Sequence, residues 1–458
     1  MTSLSRGCGR ICRLTASILL IPLFSASDVA AQTDRDVVLR WNKIAEDTIT
    51  PKVFQNEGLI YMAYVSAAIY DAVVVIEGSY EPYALNSDAC SSAKDAKTQR
   101  KSGSAIEAHP GASVQAAVAT AAYQTLVNYF PVDAATLNAQ YAVSLAAIPA
   151  SASKQDGIEV GLSVASQLIC LRAGDNLPPY RQSSLVDARE PGPGVWRLTP
   201  PYALPQTPWI ASVEPFVLNT VKQFHPAPPP NLSSPHWVAQ FNEVKHDGSV
   251  ANAGTARGAT ATFWTANVIS QYNRVGRELA VSHNLDVSQS ARLLAMINIV
   301  GADAQIAVMH WKYHFLFWRP VTAIDPCSVT ADGFGPATCD PSNLDTDRNP
   351  NTIEEVGWRP FLSPIPNHPE YPGAHGSITG AVTEVLTQFF GTSYLDVDIH
   401  GLPVDTVRHY TTAEQIVEEV TDARTWGGLH YRGSTEAGVR LGRKVANFDL
   451  NHAFRPDR

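Results

Sequence analysis

Apolar residues recur at three- and four-residue intervals along most of the chain, the spacing that keeps one face of an α-helix against a core. That period predicts helices over 36–49, 57–78, 111–129, 133–148, 152–173, 255–283, 286–314, 376–391, 411–426 and 434–451. The run from Gly58 to Val73 is apolar nearly all round, as a helix at the centre of a fold should be. Asp286 stands as a cap before a long stretch without breakers. Alternating apolar and polar residues, the mark of a strand, do not run beyond four or five positions. The pattern therefore predicts an all-α helical bundle.

Two stretches lack helical period. Residues 174–235 are crowded with proline, including Pro226-Ala-Pro-Pro-Pro, and residues 320–372 with Pro, Gly, Asp and Asn. Both carry tryptophans and other apolar residues, so they read as long Pro-rich loops packed on the bundle, in contrast to solvated linkers. The expected organisation is an N-terminal helical half over about 36–173, a Pro-rich connection over about 174–235, and a C-terminal half bearing the chemistry over about 236–456.

Composition narrows the class. The 458 residues are 45% hydrophobic and 17% charged, ample for a sizeable core. A net charge of -9 argues against nonspecific nucleic-acid binding, which needs a basic face. Arg6, Arg10 and Arg13, the apolar run Leu14–Phe24 and the small residues Val29-Ala30-Ala31 make residues 1–31 a signal peptide. Its removal leaves 32–458 with a net charge of -11, 31 basic against 42 acidic residues. No later segment has about 18 uninterrupted apolar residues, so no membrane span is expected. The protein is then secreted or periplasmic. Of six cysteines, Cys8 and Cys12 lie in the signal. Cys327 and Cys339 flank a Gly/Pro-rich loop and are the expected pair, which leaves Cys90 with Cys170.

Candidate chemistry gathers in the last third. Lys312 and Arg319 are seven apart, which two helical turns would place on one face, although Pro320 suggests that the helix ends there. His375 stands at the entry of the helix following Pro372-Gly373-Ala374, where free N–H groups suit an anion. Arg424 and His430 flank Gly427-Gly428, a turn able to aim both at one point. A lysine and two arginines could hold the oxygens of one small oxyanion, with one histidine on its central atom and the other moving a proton.

These residues resemble the signature shared by vanadium-dependent haloperoxidases and the type 2 phosphatidic-acid phosphatase superfamily: Lys-x6-Arg-Pro, Pro-Ser-Gly-His, then Ser-Arg-x5-His-x3-Asp. Lys312 and Arg319-Pro320 match the first block. Pro372 and His375 match the second, with Gly373 and Ala374 in place of Ser and Gly. Arg424 and His430 match the third, with Ala423 and Ser434 in place of Ser and Asp. Phe263-Trp264-Thr265-Ala266-Asn267 resembles a haloperoxidase Phe-Trp-x-x-Asp segment, with Asn267 replacing the acid. The resemblance covers most of residues 36–456 and is strongest from about residue 255 onward.

The resemblance implies a haloperoxidase-like fold and vanadate as cofactor. His430 Nε2 would be the vanadium ligand. Lys312, Arg319 and Arg424 would neutralise the oxygens, Gly373 and Ala374 would offer backbone N–H groups, and His375 would be the acid/base, with Lys312 assisting. Hydrogen peroxide, a halide and a small organic acceptor would be the reactants, and a homo-oligomer would be usual. His368, seven residues before His375, resembles the seaweed bromoperoxidases, while fungal chloroperoxidases carry Phe there. This implies bromide or iodide over chloride. With Asp absent at 434, Glu436 or a backbone carbonyl would orient His430. The same residues would also serve an exported acid phosphatase, with His430 as nucleophile and His375 as general acid, or an inactive anion-binding relative.

Overall fold

The computed structural model describes residues 33–84, 110–175, 192–199, 204–328 and 347–457. The proposed signal peptide, Cys90 and Cys339 lie outside them. Thirteen α-helices fall within the described residues: α1 (Asp34–Ile49), α2 (Gln55–Glu77), α3 (Val114–Tyr129), α4 (Ala134–Ala146), α5 (Ala152–Leu171), α6 (Pro235–Asp247), α7 (Ala256–Phe263), α8 (Val268–Ser282), α9 (Val287–Phe315), α10 (Pro320–Ile324), α11 (Ala374–Phe390), α12 (Ala413–Trp426) and α13 (Arg432–His452).

α9 is the spine. Its 29 residues start at a capping box, in which Asp286 accepts from Gln289 N–H and the Gln289 side chain accepts from Asp286 N–H. It is buried almost continuously from Ser288 to Tyr313, and α2 packs along it. Both helices are long and apolar enough to cross a membrane, yet 94% of the most apolar window of each is buried inside the protein. Their apolar character is therefore consumed by the core. One hydrophobic cluster runs from Val37 to Phe454, so both ends of the described chain share it.

Three details differ from the sequence reading. The stretch 255–283 is not one helix: it breaks after Phe263, and Asn267 caps α8 by accepting from Ile269 N–H at 2.9 Å. α6 and α10 each start with proline at the first helical position, where the missing N–H costs nothing; α10 falls within the stretch expected to be loop, and the helical period predicts no helix at α6. A hairpin of β1 (Tyr394–Gly401) and β2 (Thr406–Thr412) adds antiparallel strands to an otherwise helical fold. β1 does alternate, burying Leu395, Val397 and Ile399 between exposed Asp396 and Asp398.

The Pro-rich connection is tied to the core where it is described. The buried Asp303 carboxylate of α9 accepts the N–H groups of Phe216, Val217 and Leu218 at 2.5, 2.7 and 2.9 Å. Asn367 fastens it to the second loop: its Oδ1 accepts Thr199 N–H at 2.9 Å and its Nδ2 donates to Leu204 O at 2.8 Å. Cys170 and Cys327 are both disulfide-bonded.

Helices α11 and α13 approach unusually closely. Glycines on both sides permit this: a Cβ on Gly376 would meet Thr435 O at 2.2 Å, one on Gly438 Gly373 O at 2.1 Å, and one on Gly442 Ser377 O at 1.9 Å. This contact fixes the first turn of α11 against the start of α13, the two helix ends that carry His375 and follow His430.

Candidate active site

Lys312 occupies the last turn of α9, fully buried. Its Nζ donates to Pro369 O at 2.9 Å and Glu370 O at 2.8 Å, two of its three possible bonds. The helix ends at Phe315, with Leu316 in the left-handed conformation at φ 51°. Arg319, also fully buried, is the N-cap of α10. A reversal of the chain brings the two cations together; they do not share a helical face. Arg319 Nε and Nη2 donate to His368 O at 3.1 and 2.9 Å, and Nη1 donates to Leu429 O at 3.0 Å and lies 3.3 Å from His430 Nε2.

Arg424 stands in the last turn of α12. Gly427 caps that helix, Gly428 takes φ +73°, and His430 N–H donates back to Arg424 O at 3.3 Å. The Gly-Gly turn thus returns His430 to the arginine. Arg424 Nη1 makes one long bond to Trp264 O (3.4 Å), and its Nε has no partner among the described residues. His375, in the first turn of α11, likewise has a buried Nε2 without a partner there.

Two expectations need correction. Gly373 does not offer its N–H to an anion, because it donates to Ser434 O at 2.7 Å. Gly373 serves close packing, while Ala374, one residue on, begins the helix and keeps an N–H with no intrahelical acceptor. Glu436 does not orient His430: it is exposed and pairs with Arg440 at 3.8 Å. The sequence reading missed Glu370. Its buried Oε1 lies 2.8 Å from His430 Nδ1 and accepts Tyr431 N–H at 3.1 Å, and its Oε2 accepts the Ser434 hydroxyl at 2.6 Å. With Glu370 ionised, the His430 proton would sit on Nδ1 and the lone pair on Nε2. A buried acid between proline residues, in His368-Pro-Glu-Tyr-Pro372, was the available signal.

His368 is 4% exposed, with Nδ1 3.1 Å from Arg319 Nη2. It is a wall residue of a cavity of about 140 Å³, together with Ala374, His375, Arg424 and His430. Lys312 and Arg319 are not among the lining residues and form a second layer of charge. The mouth is formed by Pro364 and Pro366 and by residues the sequence gave no reason to include: Phe54, Gln55 and Asn56 at the start of α2, and Gln206 of the Pro-rich connection.

The electrostatics are those of a site short of negative charge. Burial, then Arg319 and Arg424, holds Lys312 well below the usual lysine range, with Glu370 opposing. Burial lowers Arg319 to about 10, again against Glu370, and burial with Arg319 lowers Arg424 to about 9. Burial, Arg424, Lys312 and Arg319 hold His375 far down, and burial followed by Arg319, Lys312 and Arg424 does the same to His430. Burial pushes Glu370 up to about 7, restrained chiefly by Lys312, the Ser434 hydrogen bond and Arg319. Three cations thus face one carboxylate, and Arg424 Nε and His375 Nε2 are unsatisfied at the cavity wall. Among the described residues no cluster of His, Cys, Asp or Glu suits a metal cation. This donor set fits a small oxyanion such as vanadate or phosphate.

Comparisons with known proteins agree with this fold. Residues 292–456 match the model of the VCPO second helical-bundle domain. A curated vanadium chloroperoxidase of Curvularia inaequalis is 26% identical over 218 residues, covering 41% of this chain and 34% of the relative, so the match spans about a third of that protein. The crystal structure of the first bacterial vanadium-dependent iodoperoxidase superposes with a TM-score of 0.69 at 22% identity, over 93% of this chain and 97% of its own. A holo bacterial vanadium-dependent chloroperoxidase does so with a TM-score of 0.59 at 14% identity, over 92% and 93%. At these identities the superpositions establish a shared fold.

Proposed function

Since the chain belongs to the vanadium-dependent haloperoxidase family, we propose that it oxidises a halide with hydrogen peroxide at a vanadate held on His430. The observation that carries this reading is the setting of His430: its Nδ1 lies 2.8 Å from a Glu370 oxygen, its Nε2 lies 3.3 Å from Arg319 Nη1, and the residue lines a cavity with Arg424 and His375. His430 Nε2 would ligate vanadium. Arg424 Nε, Arg319 and Lys312 would balance the charge of its oxygens, and Ala374 N–H would add a donor. Bound vanadate supplies a Lewis-acidic centre that activates peroxide toward halide without changing oxidation state.

The remaining steps belong to the protein. His375 Nε2, neutral and unpartnered, takes the proton of incoming hydrogen peroxide and returns it to the leaving oxygen. Lys312, one donor uncommitted, stabilises developing negative charge from behind. The mouth residues Phe54, Pro364 and Pro366 limit water and bulky acceptors, so hypohalous acid leaves to react with a small organic acceptor. His368, in the wall beside Arg319, favours bromide or iodide over chloride. The N-terminal 31 residues export the protein to a secreted or periplasmic location, in keeping with disulfide-bonded Cys170 and Cys327.

The test is bromination and iodination of a phenol dye by the mature protein with peroxide and orthovanadate, beside His430→Ala. Turnover that needs vanadate and is lost in the variant supports the reading. Phosphate-ester hydrolysis without halide turnover would assign the site to an acid phosphatase, with His430 as nucleophile and His375 as general acid. Neither activity would leave an anion-binding relative.

A further inference from the structure

Glu370 joins more of the site than any other residue. Its carboxylate collects three donors, His430 Nδ1–H, Tyr431 N–H and the Ser434 hydroxyl. Its carbonyl accepts Lys312 Nζ at 2.8 Å, and its N–H donates to Phe317 O at 2.9 Å, two residues from Arg319. An ionised Glu370 can accept from all three at once, with the His430 ring and the Ser434 hydroxyl in the donor role.

We infer that Glu370 and Ser434 act as one positioning unit for His430, with the negative charge on the loop before α11 and the hydroxyl that steers it on α13. Ser434 sets the Glu370 rotamer, and Glu370 sets the imidazole tautomer and its rotation, so that the Nε2 lone pair meets the cavity. The ionised acceptor also draws on the Nδ1 proton and makes Nε2 a better donor to an electrophilic centre. Charge and steering group stand 2.6 Å apart. An aspartate at 434 would therefore carry its oxygens into the space Glu370 vacates if shortened, and the charge could be supplied from either element. This rests on His430 as the anion-binding histidine of the proposed function.

The test uses the full mature protein with ¹⁵N-labelled histidine, the His430 signals being assigned by their loss in His430→Ala. Wild type should show one His430 tautomer, protonated at Nδ1. Glu370→Ala should lose that single tautomer and weaken orthovanadate binding by about 10- to 100-fold. Glu370→Ala/Ser434→Asp should restore both. Unchanged tautomer and binding in Glu370→Ala, or a folded double variant no better than Glu370→Ala, overturns the inference. If Glu370→Ala does not fold, Glu370→Gln decides: the amide can still accept from Nδ1–H, so the tautomer should persist while binding weakens, and unchanged binding overturns the role of the charge. If wild type fails to bind orthovanadate, the proposed function falls, while the tautomer readout still tests the positioning unit.

Discussion

A Cβ on Gly373 would lie 2.8 Å from Thr435 Cα, with Ser434 O and Thr435 N at 3.1 and 3.2 Å. All three neighbours are backbone, so none can swing aside. The family motif carries serine at this position, and here there is no room for one. Gly373→Ser is expected to push the first turn of α11 off α13, at a cost of about 1–3 kcal/mol, and to carry His375 with it. Thermal unfolding and orthovanadate titration would both report the loss. Wild-type stability with tighter binding would show instead that the absent hydroxyl limits the site.

Arg424 is bound to the protein by one long hydrogen bond and is otherwise aimed at the cavity. Arg424→Ala should therefore cost binding more than stability. A charged hydrogen bond of about 1.5–3 kcal/mol corresponds to a loss of roughly 10- to 100-fold in affinity. Calorimetric titration with orthovanadate, set beside the melting temperature of the unliganded variant, separates the two effects.

Vanadate and phosphate should differ in their dependence on His430. Either anion can use the arginines, but only vanadium gains a coordinate bond to Nε2. At saturating excess over Kd, each should raise the melting temperature of the wild type. His430→Ala should abolish most of the vanadate shift and leave more of the phosphate shift. Equal losses would mean that the histidine contributes only shape.

The pH dependence of the unliganded protein follows from opposing groups. His368, His375 and His430 are held well below the ordinary histidine range by burial first and neighbouring cations second. Their stabilising contribution is complete above the unfolded value of about 6.5 and is lost as pH falls below it. Glu370, raised to about 7, acts the other way: its contribution is complete below its unfolded value and fades as pH rises through 7. His375→Gln should make acid destabilisation shallower, and Glu370→Gln should flatten the neutral side. Denaturant midpoints at a series of pH values would contradict this if both variants ran parallel to wild type.

The halide preference can be read directly. His368→Phe should lower the bromide-to-chloride ratio of kcat/KM relative to wild type. Equal turnover of both halides by the wild-type enzyme would remove His368 from that role.

The helices were legible because their burial is one-sided and periodic, and the cluster Lys312, Arg319, His375, Arg424 and His430 was legible because its spacings match a known pattern. What was hidden has physical causes. β1 spans only eight residues, too few to stand out from helical text on either side. α6 and α10 open with proline, which reads as a breaker even though it suits a first helical turn. Glu370 was hidden because its partner His430 is 60 residues away, and no local period links a loop acid to a histidine on another element. The α2 residues at the cavity mouth are more distant still in sequence.

That distance divides the molecule's labour. Every side chain assigned to bond-making lies between Lys312 and His430, whereas Phe54, Gln55, Asn56 and Gln206, from the first half of the chain, frame the door. Pro364 and Pro366 come from the same stretch as the chemistry, but the rest of the opening is inherited on a separate stretch of polypeptide. One can drift while the other is conserved, and a new acceptor could be recruited by changing the opening of α2 without altering a residue that touches the chemistry. Similarity confined to residues 292–456 would then identify the engine of such a protein and leave open what it lets in.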